Sequence, residues 1–195
     1  MFWEKGDEQY SGDSSYRFVD KLIKSEGGKL LVVSPYISNG YAKLLISEAR
    51  RKRVYVVTSQ SSLEYENSVL KGIPEIGAMK RYLKPVAYFS IITAFAVYFN
   101  FGYLIYPLLA IVLLFVGLTY LTYRKTRANF QLKVSRDKFV HEKLYITDRE
   151  AIIGSANLTF GGMHKNIEHI QIIRDGKKRE QLEEHFNRLW ASIGG

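Results

Sequence analysis

The chain has 195 residues, enough for one domain with an insertion and for a substantial core. It has no cysteine, which excludes disulfides and thiolate metal sites and fits a reducing compartment. A formal net charge of +9 favours anionic partners, nucleic acid or an acidic membrane surface, and equally fits the positive-inside bias of a membrane protein.

Residues 1–13 are polar, contain glycine and show no period, the pattern of a flexible amino terminus. No basic stretch followed by an apolar one opens the chain, so no signal peptide is read there. Ser14 or Ser15 is placed to cap a helix running to about Ser25, with Phe18, Val19, Leu22 and Ile23 at helical spacing. Gly27-Gly28 ends it. Lys29–Ser34 reads as a buried strand, Pro35–Gly40 as a loop, Tyr41–Arg51 as a helix with Leu44, Leu45 and Ala49 inward, and Val54–Thr58 as the next strand. Strand, helix and strand in that order predict a parallel pair with a right-handed crossover. The cations Arg50, Arg51, Lys52 and Arg53 read as a solvated helix end whose charge complements the dipole, in preference to phosphate contacts. Leu63–Leu83 reads as weakly amphipathic and helical, broken at Gly72-Ile73-Pro74.

The composition then changes. From Pro85 to Tyr123 no residue is charged. One membrane helix needs about 20 apolar residues, so this stretch predicts two spans. Asn100-Phe101-Gly102 supplies the turn between them, with the first span from Pro85 to Phe99 or Phe101 and the second from Tyr103 to Tyr123. Lys80, Arg81 and Lys84 precede it, and Arg124, Lys125 and Arg127 follow it. Basic flanks at both ends keep both on the cytoplasmic side, which requires an even number of crossings.

After the hairpin, Gln131–Ser135 and Phe139–Ile146 read as strands, the second carrying His141 and Lys143. In an extended segment residues i and i+2 share a face, so these two side chains enter one site. Ala151–Ile153 is a short buried strand that delivers Gly154-Ser155-Ala156-Asn157 at its end. A nucleophile, a fixed cation, a hydroxyl and an amide then converge, the parts needed to hold and attack a phosphate. An imidazole attacks phosphorus well because much of it is unprotonated at neutral pH. Gly161-Gly162 allows a tight turn. Asn166–Arg174 is the last strand, with Glu168, Ile170 and Ile172 on one face; a carboxylate on that apolar face requires a partner. Lys177–Ile193 is an amphipathic helix with the stripe Leu182, Phe186, Leu189 and Trp190. No metal-ligand spacing competes, because no His-x-x-x-His pair occurs and His164 and His169 are five apart. The reaction is therefore expected to need no divalent ion and no cofactor.

His141, Lys143, Asp148, Gly154, Ser155 and Asn157 together resemble the HxK(x)4D…GSxN signature of the phospholipase D superfamily, with Leu158-Thr159 and the Asn166-x-Glu168 pair that commonly follow. The gap between Asp148 and Gly154 is one residue shorter than is usual there, a deletion easily taken up in a turn at Asp148-Arg149-Glu150. The resemblance implies an α/β fold, a mixed sheet flanked by helices, here interrupted by a transmembrane hairpin. The expected organisation is a flexible terminus (1–13), the first part of the domain (14–84), the hairpin (85–123) and the second part with the motif (124–195). It also implies roles. His141 is the nucleophile forming a phosphohistidine, Lys143, Ser155 and Asn157 hold the phosphate, Glu168 orients His141, and Asp148 and Gly154 are structural. The family uses two copies of the motif, one histidine as nucleophile and the other as general acid. This chain has one copy, so a homodimer that completes the site is implied.

The motif reads only the phosphodiester. Basic charge and the lack of long loops to wall an acyl pocket favour nucleic acid, whereas a membrane anchor that sets the site at the headgroups would favour phospholipid. A non-catalytic membrane adaptor that binds phosphate-bearing ligands is the alternative of another class.

Overall fold

The computed structural model describes residues 7–59 and 75–193, with side chains from Leu83 onward in the helix that begins at Glu75. The elements in chain order are β1 (Glu8–Gly12), α1 (Tyr16–Lys24), β2 (Lys29–Val33), α2 (Asn39–Glu48), β3 (Arg53–Ser59), α3 (Glu75–Tyr98), α4 (Gly102–Asn129), β4 (Phe130–Ser135), β5 (Leu144–Thr147), β6 (Ala151–Gly154), α5 (Phe160–His164), β7 (Glu168–Ile173) and α6 (Gly176–Ser192). Most of the helical region read at Leu63–Leu83, with its break at Gly72-Ile73-Pro74, lies outside the described residues.

One mixed sheet of seven strands, in the order β1-β7-β6-β5-β2-β3-β4, carries the domain. β2, β3 and β4 run parallel, while β5, β6, β7 and β1 each pair antiparallel to a neighbour. Alternation along the strands divides the apolar residues between two faces. Leu30, Val32, Val54, Val56, Tyr145, Ile152 and Ile170 pack under α1 and α2. Leu31, Val33, Val57, Leu144 and Ile146 pack under α6, around Phe186. The expected stripe of that helix is the one observed, with Leu182, Leu189 and Trp190 against the same cluster and the Trp190 ring edge-on to Tyr55 at 5.5 Å.

Three local expectations are corrected. Residues 8–12 are not a loose terminus; they form β1 and cover the free edge of β7 through backbone bonds. An edge strand needs little apolar signal, and Tyr10 alone turns inward, against Phe18 at 4.9 Å. Ser15 holds the N-cap position of α1, but its hydroxyl makes no capping bond. The basic cluster is not simply a solvated helix end. Lys52 is 3% exposed, and its ammonium donates to Ile23 O at 2.5 Å and Ser25 O at 2.8 Å, closing the carboxyl end of α1. Glu48 lies 3.5 Å from Lys52 and also bonds Arg51.

α3 and α4 form an antiparallel helical pair joined at residues 99–101, where Asn100 adopts a left-handed φ of 58°. Phe89 stacks on Phe115 across it at 5.8 Å. α3 begins at Glu75 and runs through Pro85, so it starts upstream of the expected span. Its apolar part, Leu83–Tyr98, is about 24 Å long at 1.5 Å per residue, short of the roughly 30 Å hydrocarbon layer. Among the described residues one helix, α4, is long and apolar enough to cross a membrane, and almost none of its apolar window is buried in the protein.

α4 passes into β4 with no linker, Asn129 ending one and Phe130 starting the other. Asn129 Nδ2 ties the joint to Ala49 O at 2.9 Å. The register continues this base line across the sheet. Phe130 pairs with Val54, Val54 with Leu30, and Leu30 with Thr147. The helical pair therefore meets the sheet at the start of the parallel strands.

Candidate active site

The motif residues gather at the opposite end, where β2 and β3 finish and β5 begins. β5 starts at Leu144, paired with Val33, so the expected strand from Phe139 is shortened. The reason is β2: after Val33, Ser34 and Pro35 turn the chain away, and no ladder remains for residues 139–143. The segment is pinned instead by Val140, whose N–H donates to Ser59 Oγ while its carbonyl accepts from that hydroxyl, both at 3.2 Å. His141 and Lys143 do meet as the spacing predicts. Lys143 Nζ lies 3.1 Å from His141 Nε2 and donates to His141 O at 2.7 Å. An ammonium only donates, so Nε2 accepts and the ring proton sits on Nδ1.

Lys143 is 6% exposed. Burial pushes its pKa below the ordinary lysine value, and the Glu168 carboxylate pulls it partly back up. Glu168 is 7% exposed and lies on the face of Ile170 and Ile172, as read from the strand period. Its partners differ from the expectation. Oε2 accepts from Ser155 Oγ, and Oε1 accepts from Asn166 Nδ2 at 3.2 Å. Among the described residues it makes no hydrogen bond to His141. Ser155, expected to offer its hydroxyl to phosphate, donates its proton to Glu168 and accepts from His169 N at 3.0 Å.

Asn157 presents a buried amide oxygen with no partner among the described residues, an arrangement that costs about 1–3 kcal/mol unless a donor arrives. Its backbone is held from both sides. Leu158 N donates to Ser34 Oγ at 3.0 Å and Leu158 O accepts from Ser38 N at 2.9 Å, which clamps this segment to the loop after β2. Gly162 presses from below: a Cβ there would stand 2.6 Å from Asn157 O and 2.9 Å from Asn157 N. Gly161-Gly162 is thus not a free turn but part of α5, capped by Thr159 Oγ1, which accepts from Gly162 N at 3.1 Å. Gly154 is required for a similar reason, since a Cβ would fall 2.1 Å from His169 O in β7.

Asp148 does not join the others. It sits at the base of the sheet, where Oδ2 accepts from Gly28 N at 2.5 Å and Lys29 N at 3.3 Å, bracing the entry to β2. The expected turn at Asp148-Arg149-Glu150 joins β5 to β6, with Thr147 N bonded to Glu150 O at 2.9 Å. Ser34 and Asn166 are the positioning residues that sequence reasoning left without a role. Asn166 was marked by its place two residues before Glu168; nothing local marked Ser34 as the acceptor for Leu158.

A family model described as "Cardiolipin synthase, PLD-like domain" matches residues 109–190, which span the whole motif. No curated protein matches the sequence. Among solved structures, the chain is similar to NUC, a phospholipase D family member from Salmonella typhimurium, at 15% identity and a TM-score of 0.59, over 96% of this chain and 97% of that one. It is similar to NucT from Helicobacter pylori at 12% identity and a TM-score of 0.59, over 97% and 98%. Phosphatidylserine synthase of Haemophilus influenzae Rd KW20 matches at 16% identity and a TM-score of 0.50, over 94% of this chain and 38% of that one. At these identities the structural likeness speaks for the fold, and the family model and the motif speak for the lineage. The chain thus has a phospholipase D-like fold, and the family model matches the part of it that holds the motif.

Proposed function

We propose that the protein is a membrane-anchored phosphodiesterase that cleaves nucleic acid through a phosphohistidine. The observation that carries the reading is the position of the His141–Lys143 pair, at the end of the sheet opposite the junction with α4. His141 Nε2 attacks phosphorus, the bond to the leaving oxygen breaks, and water later cleaves the N–P bond and restores the imidazole. Lys143 and Asn157 hold the non-bridging oxygens, with Lys143 offsetting their charge in the transition state. Ser155 and Asn166 hold Glu168 in place. The leaving oxygen needs a proton, and His141 of a second copy is the donor, so the working unit is a homodimer. No step calls for a metal ion.

α4 crosses the membrane, and α3, packed along it and joined by a short turn, crosses with it. Its short apolar part is accommodated by local thinning of the bilayer and by snorkelling of its basic flank. Lys80, Arg81 and Lys84 in the first turns of α3 and Arg124, Lys125 and Arg127 in the last turns of α4 keep the catalytic domain cytoplasmic. β4 has six residues, so the base and the far end of the sheet are about 20 Å apart. The headgroup layer is only about 6 Å deep on each side. An anchor joined to the base of the sheet, with the strands rising from the membrane, would hold the site away from the headgroups, which supports the nucleic-acid reading. Lipid chemistry is the second reading, favoured by the match to the cardiolipin synthase family model and the likeness to the phosphatidylserine synthase structure.

The test uses full-length protein in vesicles, with EDTA present. Labelled DNA and RNA are supplied from outside, and the vesicle lipid carries a labelled headgroup. Nucleic acid is expected to be cut by the wild type and not by His141→Asn. Release of the headgroup by the wild type alone would establish the lipid reading, and loss of neither label would favour the adaptor.

A further inference from the structure

Two exposed aromatic rings stand in file with the His141 imidazole. Tyr36 and Phe139 have centroids 5.9 Å apart, and Phe139 and His141 are again 5.9 Å apart. Tyr36 is 40% exposed and Phe139 is 53% exposed. They come from different loops, one after β2 and one between β4 and β5, and both loops are held. Ser34 Oγ donates to Tyr36 O at 2.8 Å, and Val140, next to Phe139, is bonded on both sides to Ser59. Neither ring belongs to either core cluster. Arg136 and Lys138 are exposed on the loop that carries Phe139. Asp137 is exposed between them, so the loop carries a net positive charge, and Glu142, next to His141, is held by His185 Nε2 at 2.9 Å. Rigidly mounted, solvent-facing rings, flanked by cations and beside the nucleophile, suit a ligand with flat faces joined by phosphates.

We propose that Tyr36 and Phe139 form a stacking platform for the nucleobase next to the scissile phosphate, so that the substrate is single-stranded nucleic acid. The inference rests on the nucleic-acid reading above and names its strand class. In a duplex both faces of each base are covered by neighbours, and such a platform has nothing to grip. Stacking on an aromatic side chain is sequence-tolerant, because every base has a π-face.

The test compares oligothymidylate with an abasic chain of the same length, which keeps every phosphate and lacks every base. Full-length protein in detergent is assayed for kcat/KM on each. The wild type is expected to prefer the base-bearing chain by about ten-fold or more, mainly through KM. Tyr36→Leu with Phe139→Leu brings the ratio close to one, and Phe139→Trp keeps it. Equal cleavage of both chains by the wild type, or a ratio that survives in the double variant, overturns the platform and leaves the nuclease reading standing. Light scattering is run alongside: a double variant that is monomeric where the wild type is dimeric assigns the rings to the subunit contact and also overturns it. Failure of the wild type to cut either chain removes the nuclease reading itself.

Discussion

Gly162→Ala is the substitution that most directly separates positioning from stability. The new Cβ would lie 2.6 Å from Asn157 O, 2.9 Å from Asn157 N and 3.3 Å from Asn157 C, all backbone atoms that no side-chain rotation can relieve. Carbon atoms sit comfortably at about 3.5 Å or more from such neighbours, so the two segments must part by roughly 0.5–1 Å. Overpacking of this kind costs about 1–3 kcal/mol, and replacing a helical glycine by alanine returns up to about 1 kcal/mol. The net loss, at most about 3 kcal/mol, corresponds to at most about 12 °C in Tm, at about 2–4 °C per kcal/mol for a chain of this size. Activity should suffer far more. A displacement of about 1 Å in a group that holds the substrate can lower turnover on the order of 100-fold, and Asn157 is the group displaced. The assay is kcat on a labelled oligonucleotide, with calorimetry on the same preparation. Gly161→Ala is the control, since its Cβ meets only Asn166 Oδ1 at 3.9 Å and Thr159 Oγ1 at 4.0 Å, ordinary contacts. Gly162→Ala with turnover within two-fold of the wild type would refute the reasoning, as would equal losses in the two variants.

Further outcomes follow from the charges. The Lys143 ammonium is held below the usual lysine pKa by burial, so the alkaline limb of activity should fall below the ordinary value of 10.5. Glu168→Gln removes the charge that pulls this pKa up and should move the limb to lower pH, while Lys143→Arg, which stays charged, should abolish the limb; pH–rate profiles in kcat/KM decide it, and an unmoved limb in Glu168→Gln defeats the assignment. Lys52→Met should destabilise the domain by about 3 kcal/mol, at the low end for a broken buried pair because Arg51 still holds Glu48. Urea unfolding measures this, and a midpoint matching the wild type would show that the ammonium contributes nothing.

The elements that the sequence reveals are those whose period is local. β2, β3 and β6 are short, largely β-branched apolar runs, α6 carries its own apolar stripe, and the uncharged stretch declares the helical pair by composition. The errors share a different origin, a partner remote in sequence. β1 exists because β7 offers an edge more than 150 residues away, and five polar-leaning residues give no hint of it. Lys52 reads as a solvated cation until α1 supplies two carbonyls. The motif fared likewise. Its residue types and the His141–Lys143 contact follow from spacing. The assignment of Glu168 to Ser155 and Asn166 depends on how β6 and β7 lie together, and spacing is silent on that.

That assignment bears on what Glu168 contributes. A buried ammonium with no counter-charge loses its proton or destabilises the fold. Lys143 has no acid within salt-bridging reach among the described residues, and the nearest influence on it is the field of Glu168. A carboxylate in direct contact would neutralise the cation and compete with phosphate for it. A carboxylate tied back by Ser155 and Asn166 leaves the ammonium charged, with its donors free to turn from His141 to an incoming phosphate oxygen. The two hydrogen bonds on Glu168 thus hold its charge at a distance from Lys143, and the same anchoring commits the hydroxyl of Ser155, a motif residue, to the carboxylate. Among the described residues His141 Nδ1 and Asn157 Oδ1 are site atoms without a hydrogen-bond partner, and a second molecule is what the geometry leaves to supply one.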